Sequence, residues 1–202
     1  MRSYKVAVTG GIGSGKSVVC DIIKELGFKV FSCDEIYDDL LLNDDFVRGA
    51  CDAAGVEPIE EGGKISLDRK AVSQKVFSNE QARARLEAFT HPEIMRELTS
   101  RMDGVGGLCF AEVPLLFEGG FENRFDAIIV VLRGFRDRIE AIGKRDGLSE
   151  EEIISRMKSQ VDHERIAGKA HTVIRNDCAP EALRERIEIA LEKIIEKANR
   201  NS

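Results

Sequence analysis

One octapeptide restricts this chain more than anything else in it. Gly10-Gly11-Ile12-Gly13-Ser14-Gly15-Lys16-Ser17 satisfies the pattern G-x-x-x-x-G-K-[ST] in full. Its surroundings are those the pattern needs. Tyr4-Lys5-Val6-Ala7-Val8-Thr9 is a β-rich run, and after the loop Val18, Val19, Ile22, Ile23 and Leu26 fall at helical spacing. Glycines in such a loop let the backbone turn several N–H groups toward one point at the positive end of a helix, where oxyanions bind. On this reading Gly11, Ile12, Gly13, Ser14, Gly15, Lys16 and Ser17 hold the phosphates of ATP. Lys16 is a point charge for the β- and γ-phosphates, and the Ser17 hydroxyl ligates Mg²⁺. ATP and Mg²⁺ are the expected cofactors.

Elsewhere the chain alternates strand and helix signals. Gly27 closes the first helix, and residues 28–33 read as a second strand ending at Asp34, so a βαβ unit and a parallel sheet are expected. From 35 to 103 no convincing strand appears. Helical segments at 71–77 and 81–102, with breaks at Gly62-Gly63 and Ser78-Asn79, predict a mainly helical insertion. Residues 108–113 and the apolar run Ala127-Ile128-Ile129-Val130-Val131-Leu132 read as core strands buried on both faces. Thr172-Val173-Ile174 is a last short strand, and Pro180 opens an amphipathic helix. The charge-dense stretch 144–169 reads as a mobile cover. The expected architecture is therefore α/β: a three-layer phosphate-loop core of 1–34 and 104–202 with a parallel sheet, a helical insertion at 35–103 and a helical lid at about 144–169.

At 202 residues, one such core plus insertions is the default. Thirty Lys and Arg against 36 Asp and Glu give a net charge of −6, so no global basic field draws the chain to nucleic acid or anionic lipid. Five cysteines without a C-x-x-C pair point to buried, reduced thiols rather than disulfides or a zinc site. No stretch of about twenty apolar residues is present. A cytoplasmic protein, monomeric or weakly self-associating, with small-molecule partners and neither nucleic-acid nor membrane partners, is the expectation.

A phosphate loop alone leaves GTPase switches, ATPase motors and small-molecule kinases open. The chain contains no N-K-x-D tetrad for reading guanine, which counts against a GTPase. The insertion and charged cover suit a kinase that must close over two substrates and exclude water. Asp34, at the end of the second strand, is placed to orient an acceptor hydroxyl and take its proton, to hold Mg²⁺ through a water, or to N-cap a helix starting near Glu35. Glu112, at the end of the third core strand, is either a metal-directed acid or a partner in a surface ion pair. His91-Pro92 caps or kinks the insertion, or contacts substrate.

With these residues in view, the chain resembles the dephospho-CoA kinase family from Val6 to about residue 190. The resemblance is carried by the phosphate loop with Thr9, the strand ending in Asp34, Leu67-Asp68-Arg69, Val76-Phe77, His91-Pro92, Val113-Pro114-Leu115-Leu116-Phe117-Glu118, Arg145-Asp146 and Val173-Ile174-x-Asn176. It implies transfer of the ATP γ-phosphate to the ribose 3′-hydroxyl of dephospho-CoA. It further implies that Asp34 is the base, that the insertion with His91 and Pro92 receives dephospho-CoA, and that 144–169 is the lid. Arg145 would approach the phosphates and Asn176 the adenine. The chain departs from the family pattern at Val18, Ser32, Ala141, His171 and Cys178, where Thr, Asp, Arg, Asp and Gly are frequent.

Overall fold

The structure, a computed structural model, describes residues 2–200. The chain opens with β1 (Tyr4–Thr9), α1 (Lys16–Glu25), β2 (Lys29–Ser32), α2 (Cys33–Leu40) and α3 (Asp44–Ala54). Next come β3 (Ile59–Glu61), β4 (Lys64–Ser66), α4 (Arg69–Ser78) and α5 (Glu80–Asp103). It then runs through β5 (Leu108–Glu112), β6 (Ala127–Leu132), α6 (Phe135–Asp146), α7 (Glu150–Lys158), α8 (His163–Ile166), β7 (Thr172–Arg175) and α9 (Pro180–Arg200).

Five strands form one sheet in the order β2-β5-β1-β6-β7. β1 pairs in parallel with both β5 and β6, and β6 in parallel with β7. All six residues of β6 are buried, which is why its side chains are apolar without alternation. β2 follows β1 in sequence, yet β5 lies between them in the sheet. The carboxyl end of β1 therefore opens where the order departs to either side, the usual ligand position of open α/β sheets. Val19 and Ile23 of α1 and Leu183, Ile187, Leu191 and Ile194 of α9 pack with Val6, Val8, Phe110 and Ile129 in one core cluster.

Residues up to Phe31 and from Arg101 onward form one compact unit, and Ser32–Ser100 form a second. The second unit is mostly helical, with the Phe46 ring meeting Tyr37 edge-on at a centroid distance of 6.1 Å and Phe89 at a tilt at 5.4 Å. It also holds an antiparallel hairpin of β3 and β4, where the sequence reading places no strand. Gly62 (φ 57°) and Gly63 (φ 77°) supply the two left-handed residues that a tight hairpin turn demands. Each strand has three residues, five of the six exposed, so neither alternation nor apolar character marked them.

The five cysteines are free thiols, four of them buried. Among the described residues no helix is long and apolar enough to cross a membrane.

Candidate active site

The phosphate loop joins the central strand to the helix that covers it. Gly15 takes φ 86° as the N-cap of α1 and offers no side chain to the helix, so the first N–H groups of α1 have no side-chain cap. Such open donors, with the helix dipole behind them, are an anion site. A Cβ at Gly15 would run into the amide of Asn176, whose Nδ2 donates to the Ser14 carbonyl at 2.9 Å. Asn176 follows β7 directly, and its own N–H donates to the Leu132 carbonyl at the end of β6. Its side chain thus serves the loop backbone. Lys16 bends back over the loop, its Nζ donating to the Gly10 and Gly11 carbonyls at 2.9 and 3.3 Å. Ser17 is exposed in the first turn of α1.

Two side chains from beyond β6 grip the same loop residue. Ile12 donates its N–H to Gln160 Oε1 at 2.7 Å, and its carbonyl accepts from Arg138 Nε at 2.8 Å. Burial lowers the pKa of the Arg138 guanidinium, with Asp162 opposing. Around this contact lies a cavity of about 460 Å³, whose lining includes Gly11, Ser14, Arg133, Arg138, Lys158 and His163. Nothing in the local sequence pattern marked Gln160. Both contacts are made by residues more than a hundred positions from the loop.

His163 is 4% exposed and its Nε2 has no hydrogen-bond partner among the described residues. Burial holds the imidazole below its ordinary value; Glu118 opposes the shift, while Lys16 and Arg138 reinforce it. Glu112 closes β5 in register with Val8 of β1. After burial, its charge is the largest influence raising the Cys20 thiol to about 12, so this thiol stays protonated and unreactive.

Arg145 lies two helical turns beyond Arg138 on α6. Its Nε and Nη2 donate to the Asp146 carboxylate at 2.7 and 2.9 Å. It borders a separate depression with Arg133, Asp137 and Lys144, and is not part of the lining of the cavity over the loop.

The other expected site residues belong to the second unit. α2 starts at Cys33, and its N-cap is Ser32, whose Oγ accepts from the N–H groups of Asp34 (3.2 Å) and Glu35 (3.4 Å). The capping alternative for Asp34 is therefore corrected: the helix begins two residues before Glu35, and the Asp34 carboxylate stands exposed in its first turn. His91 and Pro92 lie inside α5, His91 half-buried, with its pKa lowered by burial against the opposing charge of Glu87.

An uncapped glycine-rich loop between the central parallel strand and its covering helix defines a phosphate-loop nucleotide-binding protein of the α/β class. Comparison narrows the class. The family profile for dephospho-CoA kinase matches residues 4–181. A dephospho-CoA kinase from Chlorobaculum tepidum is 35% identical over 198 residues, covering 94% of each chain. A crystal structure from Thermus thermophilus superposes with a TM-score of 0.80 at 29% identity, covering 98% of both chains. Dephospho-CoA kinase from Campylobacter jejuni gives 0.63 at 30% identity, covering 94% of this chain and 96% of that one. The chain belongs to the dephospho-CoA kinase family.

Proposed function

We infer that this chain is an ATP-dependent kinase that transfers the γ-phosphate of ATP to the ribose 3′-hydroxyl of dephospho-CoA, the last step of coenzyme A synthesis. The observation that carries the reading is the phosphate loop itself, which presents the uncapped end of α1 at the carboxyl edge of the central strand in a chain of this family. Phosphoryl transfer asks the protein mainly for positioning and charge neutralisation, and a nest of N–H donors with an adjacent ammonium group supplies both.

Within that reading, Gly11 to Ser17 cradle the donor phosphates and Lys16 swings from its backbone carbonyls to the β- and γ-oxygens. The Ser17 hydroxyl, exposed in the first turn of α1, would hold Mg²⁺, which when bound would supply neutralisation of the charge at the phosphates. Among the described residues no group of three His, Cys, Asp or Glu side chains is arranged to hold a metal. Asp34 orients the acceptor hydroxyl and receives its proton. Residues 35–103, with His91 and Pro92, receive dephospho-CoA, and 144–169 act as the lid. Arg145 exchanges Asp146 for a phosphate when the lid closes, and Asn176 holds the loop beneath the adenine end of the nucleotide. The protein works in the cytoplasm as a monomer or weak homo-oligomer.

A coupled assay of ADP release tests the reaction. ADP should appear at an appreciable rate only when dephospho-CoA is added to ATP and Mg²⁺, with one phosphorylated product per ADP. A rate indifferent to dephospho-CoA refutes the assignment.

A further inference from the structure

The phosphate loop is held by two side chains as well as by its own turn. We propose that Arg138 and Gln160 form a clamp on the peptide groups of Ile12, making the helical segment after β6 a positioning element of the phosphate loop. The proposal rests on the kinase reading above, because it concerns how that site holds its nucleotide.

Three observations carry it. First, both contacts fall on one residue and from opposite sides: Ile12 donates to Gln160 at 2.7 Å and accepts from Arg138 at 2.8 Å. A residue bonded through both its N–H and its C=O is restrained against rotation of the two peptide planes that meet at its Cα, and these planes set where the neighbouring N–H groups of the loop point. Second, the loop leaves room for the clamp. A Cβ at Gly11 would lie 2.5 Å from Arg138 Nη2, and one at Gly13 would lie 2.8 Å from Ile142 Cγ1 on the same helix. Third, Arg138 and Gln160 are both partly buried, come from different ends of the segment, and both line the cavity over the loop. Lys144, also on α6, is instead exposed and donates to Glu140 at 2.6 Å.

Since the clamp acts on the loop backbone, it favours every nucleotide whose phosphates use the loop. ADP and ATP therefore depend on it alike. A guanidinium that touched only the γ-phosphate would favour ATP alone.

The test is calorimetric titration of the full chain with Mg·ADP and with ATP in the absence of acceptor, for wild type, Arg138→Met, Gln160→Leu, the double variant and Arg138→Lys. Each single substitution should weaken both nucleotides by about fivefold to tenfold, the lower end of ordinary coupling between sites. The double variant should lose less than the product of the singles, because both bonds hold one residue. Arg138→Lys, which keeps a donor near the Ile12 carbonyl, should recover part of the loss. In turnover assays KM for ATP should rise more than kcat falls, with an unchanged melting temperature excluding general damage. Variants that bind both nucleotides as the wild type does overturn the clamp, and so does a loss confined to ATP. A wild type that binds neither nucleotide overturns the kinase reading along with it.

Discussion

Asp34 gives the sharpest separation of structure from chemistry at the scale of single residues. Its neighbour Ser32 caps α2, so the carboxylate has no capping duty and Asp34→Asn should leave the helix intact. Nucleotide affinity should hardly move, while turnover with dephospho-CoA falls about a hundredfold or more, as expected when a general base is lost. Titration calorimetry and the ADP-release assay together check this, and an unchanged turnover removes the base assignment. Legibility at this scale followed distance along the chain. Lys16 and Ser17 were readable because a local motif fixes what surrounds them. Gln160 and Arg138 reach Ile12 across 148 and 126 positions, and such side-chain bonds to a distant backbone leave no periodicity or spacing behind. Asn176 is intermediate: it was singled out by resemblance, but its bond to the Ser14 carbonyl was not foreseeable from composition.

Among elements, burial decided what could be read. β1 and β6 were visible as strands because their residues are almost wholly buried in a parallel sheet, and α9 because one face of it packs in the core. The β3–β4 hairpin, small and exposed, carried only its glycine pair as a signal. Even the start of α2 depended on recognising Ser32 as a cap where Asp34 was an equally acceptable one. This yields a test. Ser32→Ala removes the acceptor of two N–H groups and should cost about 1 kcal/mol in urea unfolding, the usual worth of an N-cap. The departure of His171 from the family pattern also has a local account: its Nδ1 accepts the Ile128 N–H at 3.1 Å, beside the bond from the His171 backbone N–H to the Ile128 carbonyl at 2.9 Å, tying the start of β7 to β6.

For the molecule as a whole, the buried His163 predicts how stability responds to acid. Burial, reinforced by Lys16 and Arg138 and opposed by Glu118, lowers its pKa in the folded state below the ordinary value of about 6.5. The unfolded chain therefore binds the proton more readily. The contribution of His163 is fully present above about pH 6.5 and is lost as pH falls through the folded-state value. Burial also lowers the pKa of His91 and of His171, so thermal melts should show a midpoint that declines below about pH 6.5, and His163→Gln should remove part of that decline. A variant whose acid dependence matches the wild type assigns the effect elsewhere.

The contacts of Gly11, Gly13 and Gly15 change how mutations in the loop are to be interpreted. A methyl group at Gly11 meets Arg138, at Gly13 it meets Ile142, and at Gly15 it meets Asn176. Replacing any of these glycines would disturb the seating of α6 or the loop end of β7 along with the space for phosphate. An inactive glycine variant would therefore not by itself locate the nucleotide, and Lys16 is the cleaner probe of that question.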